Sequence, residues 1–204
     1  MKRYAFVDVD MTIVDGNLGT IFAKELLKKG PRKIYLRSKW HFIAYLIKSV
    51  YIALLYPFSF LYPVYVFLQD ASTDRFFDLL ESWRREEIEA AAKRTAERAK
   101  IPEEAILFLK HLHQRGYEIV LISASPSIVL EHLVKRLPVP LRFVGTDERH
   151  REPMFPEVKA RIIREEFADG IPAIVVGNPK REPFWLAREK MIVVRRPQEL
   201  TLYM

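Results

Sequence analysis

The 204-residue chain contains no cysteine, which excludes a disulfide framework and any thiolate metal site and suits a reducing compartment. No internal repeat is present, so a solenoid or other repeat array is excluded. The first apolar run starts within three residues of the N-terminus and leaves no room for a signal peptide. The expected location is therefore the cytoplasm, including the inner face of the cell membrane. A disordered composition is also missing: half of the residues are hydrophobic and 29% are charged. The length allows one substantial core with a smaller appended unit.

The net charge of +7 and the pI near 9.5 favour an anionic partner: nucleic acid, an acidic membrane or a phosphorylated substrate. Nucleic acid is set aside, because the basic residues cluster beside an apolar stretch instead of interleaving with aromatics.

Short β-rich runs alternate with amphipathic ones. The segments 4–9, 117–124 and 172–178 read as buried strands, with 141–145 and 190–196 as shorter or more exposed ones. Between them, 102–116, 126–137 and 156–170 read as helices, each opening at a proline suited to a first helical turn. This alternation predicts an α/β fold: a Rossmann-like parallel sheet with helices on both faces. Residues 17–100 break the rhythm and read as a helical cap inserted after the first strand, leaving 1–16 and 101–204 as the core. The cap carries a basic segment (Lys28, Lys29, Arg32, Lys33, Arg37, Lys39) and then "SVYIALLYPFSFLYPVYVFLQ" (49–69), which has no charge. That run has the length of a membrane span, about 20 residues, but Pro57 and Pro63 would break a continuous helix and its tyrosines suit an interface. Residues 40–69 are thus expected to lie on a membrane, to span it, or to form the buried core of the cap.

In a parallel α/β sheet the functional groups gather beyond the carboxyl ends of the strands. The first strand is followed by Asp8, Asp10 and Thr12, the second by Ser123, and the one at 172–178 by Gly177 and Asn178, with Glu182 beyond. Lys159 stands three residues after Pro156, near a helix start. A turn after Asp8 would let both aspartates face one site. Singly, the pair could be a polar turn, Ser123 a helix cap, Lys159 a solvated lysine and Asn178-Pro179 a turn starter.

Together, and in this order, "DVDMT", Ser123, Lys159 and "GNPKRE" resemble the motifs of the haloacid dehalogenase superfamily of phosphatases. The resemblance covers the whole chain, and a cap after the first motif is shared with the phosphoserine-phosphatase-like members. It implies that Asp8 is the nucleophile that takes the phosphoryl group and Asp10 the acid and base. It further implies that Ser123, Ala124, Lys159 and Thr12 hold or support the phosphate. Mg²⁺ would sit among Asp8, Asp10, Asn178 and Glu182. Asn178 is neutral where the family usually has a carboxylate, and Glu182 has one extra methylene. The site is then either active with an altered metal shell or a degenerate phosphate- or lipid-binding module. Asn17 stands where phosphoserine phosphatases carry the glutamate that recognises the amino group. With the apolar cap, this is similar to bacterial phosphatidylglycerophosphate phosphatases. The implied substrate is a membrane lipid phosphate, with the cap docked on an anionic membrane surface and no nucleic acid involved. A soluble phosphatase for a small metabolite such as phosphoserine is the other reading.

Overall fold

The computed structural model describes residues 1–29, 80, 83–152, 154–179 and 181–204. The uncharged run and most of the basic segment lie outside the described residues. Among those described, no helix is long and apolar enough to cross a membrane.

Five strands, β1 (Lys2–Val7), β2 (Glu118–Pro126), β3 (Leu141–Thr146), β4 (Gly170–Gly177) and β5 (Lys190–Val193), form one sheet in the order β3-β2-β1-β4-β5. Every neighbouring pair is parallel. This is the α/β sheet expected from the alternating pattern. β1 is central, and its Tyr4, Ala5, Phe6 and Val7 are fully buried, as a strand covered on both faces requires. Side chains alternate between faces. Tyr4 and Phe6 join Val120, Ile122, Ile162, Ile163 and Phe167 on one side. Ala5 and Val7 join Leu18, Phe22, Ala91, Phe108, Leu130 and others on the opposite one. Phe167 meets both Tyr4 and Phe6 edge-on at 5.2 Å, an arrangement favoured by the ring quadrupoles.

The helices are α1 (Leu18–Lys29), α2 (Arg85–Arg98), α3 (Glu103–Gln114), α4 (Ser127–Val134) and α5 (Pro156–Glu166). Their prolines are not equivalent. Pro156 lies in the first turn of α5, but Pro102 and Pro126 stand one residue outside, at the N-caps of α3 and α4. Pro126 also pairs with Thr146 as the last residue of β2, so it ends a strand before it starts a helix. α3 stops at Gly116, whose φ of 79° suits a residue without a Cβ.

The two helices α1 and α2, at either end of the insert, are tied to each other and to the core. α2 turns small residues inward, Ala91, Ala92, Thr95 and Ala96, and the three alanines share the apolar cluster with Leu18 and Phe22 of α1. Glu25 of α1, 2% exposed, accepts from Lys28 at 2.8 Å, from Arg94 at 3.3 Å and from Arg98. Burial pushes the Glu25 carboxyl up, but these cations outweigh it and hold it below its ordinary value. Arg136 closes the end of α2 from the core side by donating to the Ala99 carbonyl at 2.9 Å.

From β1 the chain builds outward to β2 and β3, then crosses back to place β4 and β5 on the other side of β1. The crossovers therefore part beyond the carboxyl end of β1, which is where such sheets bind ligands.

Candidate active site

Asp8 is the first residue past β1. Its N–H donates to the Val176 carbonyl at 3.0 Å, so the ladder to β4 fixes its backbone, and only 5% of it is exposed. The chain then turns sharply. The Val9 carbonyl accepts from Thr12, Ile13 and Val14 at 3.2, 2.9 and 3.0 Å, and Met11 N–H closes the loop on Gly16 at 3.2 Å. Met11 takes a φ of 61°. This is a sparsely populated conformation for a residue with a Cβ, costing about 1 kcal/mol or more, and it persists because the surrounding bonds impose it. Thr12, 1% exposed, packs inside this turn.

The turn brings Asp10 to the same side as Asp8. Its Oδ1 accepts the Leu18 N–H at 2.9 Å, and its Oδ2 lies 3.3 Å from the Asn17 amide nitrogen. The Ser125 Oγ is within 3.2 Å of one oxygen and 3.0 Å of the other. Desolvation, with the Asp8 charge adding to it, pushes Asp10 up to about 6; the Leu18 N–H, the Ser125 hydroxyl and the Arg181 charge oppose the rise. Near neutral pH this carboxyl therefore keeps a share of its protons.

The Lys159 side chain, on the first turn of α5, reaches back beneath Asp8. Its Nζ donates to Asp8 Oδ1 at 3.2 Å and to Glu182 Oε1. Lys159 and Glu182 are each 2% exposed. Burial lowers the Lys159 pKa, but two adjacent carboxylates outweigh it, so the ammonium is held above its ordinary value. Glu182 moves well upward, because burial and the Asp8 charge exceed what Lys159 returns. One ammonium thus serves two buried carboxylates. Gly177 permits the approach: a Cβ there, at a φ of 152°, would lie 2.7 Å from Glu182 Cγ and 2.9 Å from Asp8 Cβ. Gly177→Ala is expected to cost about 2 kcal/mol or more in stability, lowering the melting temperature by several degrees. A thermal melt unchanged from the wild type would show that the two carboxylates are not wedged this closely.

The arrangement bears on a divalent cation. Among the described residues no group of three or more His, Cys, Asp or Glu side chains could hold a metal. The expected shell, however, draws on two carboxylates, the Asn178 amide and the Asp10 backbone carbonyl, all hard oxygen donors of the kind Mg²⁺ takes. Glu182 Oε2 is buried without a hydrogen-bond partner among the described residues, and burial, with the Asp8 charge beside it, raises the Glu182 pKa despite Lys159. On these two observations the residues fit Mg²⁺.

The sequence-derived residues therefore divide. Asp8, Asp10, Lys159 and Glu182 converge at the carboxyl ends of β1 and β4. Ser123, on β2 and 1% exposed, accepts the Ser125 N–H at 3.1 Å, whereas neighbouring Ala124 is open to solvent. Asn178 follows directly on β4 and is half-buried. Sequence reasoning missed two partners of Asp10, Ser125 and Asn17, and the exposed Arg181, whose charge acts on both Asp10 and Glu182. Only the second serine in "SASP" hinted at the first of these.

No curated protein matches the chain. Solved structures share its fold at low identity. A protein of unknown function from Bordetella pertussis Tohama I is 13% identical, with a TM-score of 0.65 over 89% of this chain and 84% of that one. A phosphoserine phosphatase from T. onnurineus is 19% identical, with a TM-score of 0.52 over 100% and 94%. Cytosolic 5'-nucleotidase IIIB, solved with cytidine, is 11% identical, with a TM-score of 0.58 over 94% and 71%. Residues 5–178 match the haloacid dehalogenase-like hydrolase family. That span begins inside β1, ends at Asn178 and takes in Asp8, Asp10, Ser123 and Lys159, so the chain is an enzyme of the haloacid dehalogenase-like hydrolase family.

Proposed function

We propose that the protein is a phosphomonoesterase that works through an aspartyl-phosphate on Asp8. The observation that carries this reading is the pairing of Asp8, held by Lys159, with Asp10, whose pKa is pushed up to about 6, at one strand end. A nucleophile must be ionised and a leaving-group acid must hold a proton. Two aspartates in unlike surroundings meet both needs.

In the first half-reaction an Asp8 oxygen attacks phosphorus, and the bond from phosphorus to the leaving oxygen breaks. The electron pair goes to that oxygen, which takes the proton of Asp10. In the second half-reaction Asp10, now ionised, removes a proton from water, the hydroxide oxygen bonds to phosphorus, and the bond to Asp8 breaks. Lys159 keeps Asp8 oriented and offsets negative charge throughout, while Ser123 and the Ala124 backbone face the phosphoryl oxygens. Mg²⁺, held by Asp8, Asn178, Glu182 and the Asp10 carbonyl, would supply further charge to the phosphoryl group.

A small soluble phosphomonoester is the first substrate class, and phosphoserine its first candidate, because phosphoserine phosphatases recur among the proteins of similar fold. Recognition of an amino group would fall to residues other than Asn17. The Asn17 carbonyl accepts from Thr20 at 2.8 Å to cap α1, and its amide faces Asp10. A lipid phosphomonoester, with the cap on an anionic membrane surface, is the second reading. The uncharged run at 49–69 and its basic flank favour it. A phosphate-release panel in mixed micelles with Mg²⁺ tests both readings, comparing phosphoserine, a nucleoside monophosphate, phosphatidate and phosphatidylglycerophosphate. Release from the soluble esters supports the first reading, and release from the lipids alone replaces it with the second. Release from none of them contradicts a phosphatase and leaves a phosphate-binding module.

A further inference from the structure

Asp10 has to give up a proton in one half-reaction and collect one in the next, so its contacts must suit both charge states. The Leu18 N–H on Oδ1 only donates. The Asn17 amide also only donates toward Oδ2, because its carbonyl end is fixed by the Thr20 N–H. Two permanent donors favour the carboxylate over the carboxylic acid, and neither can accept the acid's proton.

Ser125 differs. Its Oγ lies within 3.2 Å of Oδ1 and 3.0 Å of Oδ2, and a hydroxyl both donates and accepts. It is also rigidly placed. Ser125 is 1% exposed, and its N–H is bonded to Ser123 Oγ at 3.1 Å. Its carbonyl lies so close to Gly145 that a Cβ there would come within 2.7 Å of it. A side chain fixed by its own backbone and by burial can orient a neighbour without an entropic cost at each turnover. Among the described residues, Ser125 is the hydrogen-bond partner of Asp10 that combines a donor with an acceptor.

We infer that Ser125 is the positioning residue of the acid: its hydroxyl accepts from the Asp10 carboxylic acid and holds it at the site, yields that proton when the leaving oxygen competes for it, and donates to the carboxylate once the proton has gone. The role rests on the phosphatase reading, and the step it serves is the one written above. As the bond from phosphorus to the leaving oxygen breaks, the proton on Asp10 moves to that oxygen, and the Ser125 O–H turns toward the oxygen it left.

The consequence is a dependence on the leaving group. A leaving group that departs readily as an anion needs no proton, whereas an alkoxide does. The test measures kcat/KM, which reports the steps up to the first irreversible one, for a series from p-nitrophenyl phosphate to simple alkyl phosphates. For Ser125→Ala a loss of about 10-fold or more is expected on the alkyl esters, with little loss on the nitrophenyl ester. Ser123→Ala, which removes a group facing the phosphoryl oxygens, should lower the whole series by one common factor. Ser125→Cys keeps the shape with a weaker donor and should fall between Ser125→Ala and the wild type, so the inference survives if the alanine variant folds poorly. A uniform loss or no loss in both Ser125 variants, with an active wild type, overturns the inference alone. A wild type that hydrolyses no member of the series overturns the phosphatase reading and this role with it.

Discussion

Asp8→Asn is expected to lower phosphate release by about 10⁴-fold or more while leaving the fold intact. The amide has the shape of the carboxylate but no charge and little nucleophilicity, so the covalent half-reaction has no attacking atom. Its surroundings tolerate the change. The backbone of Asp8 is held by Val176, and Lys159 retains Glu182 as a partner. A far-ultraviolet spectrum and a melt close to those of the wild type, together with the lost turnover, would separate chemistry from stability. Turnover within a few-fold of the wild type would remove Asp8 from the mechanism.

Lys159→Met is expected to damage both activity and stability. It would leave Glu182 and Asp8 buried side by side with no ammonium between them. Breaking a buried pair from one side costs about 3–5 kcal/mol, which for a chain of this size lowers the melting temperature by about 10 °C. The double variant Lys159→Met/Glu182→Gln removes one of the two uncompensated carboxylates and the repulsion between them, and should regain part of that loss. Activity should not return with it, because neither the orientation of Asp8 nor the positive charge facing the phosphoryl group is restored. A double variant no more stable than Lys159→Met would contradict the charge explanation, and one that regains activity would contradict the catalytic role.

These two residues also show what the sequence reveals and what it hides. Asp8 was legible because a buried strand followed by two aspartates is a local pattern, and β1 places them as that pattern demands. The parallel sheet was legible for a similar reason: the alternation of apolar runs and amphipathic segments is written in consecutive residues. Lys159 was found by its position after Pro156, but its partners were not, since its contacts with Asp8 and Glu182 span 151 and 23 residues. Glu182 was expected as a metal ligand; that its other oxygen, Oε1, also accepts from Lys159 is a pairing that only the closed fold makes. Ser125 is the clearest omission. It sits two residues from Ser123, where attention to a strand-end hydroxyl passes over it, and its 115-residue reach to Asp10 leaves no local trace. The proline rule was too coarse in two of three helices, because a proline suits the cap as well as the first turn. The apolar part of the insert, the uncharged run at 49–69, lies outside the described residues.

The central claim is a covalent phosphoryl group on one aspartate. The most direct measurement is an acid quench of the enzyme during turnover of a phosphomonoester, followed by peptide mass spectrometry. The account predicts a peptide spanning Asp8 heavier by one phosphoryl group, labile to hydroxylamine as an acyl phosphate is, and absent from Asp8→Asn. Full turnover with no such peptide, or the same modification persisting in Asp8→Asn, would contradict it.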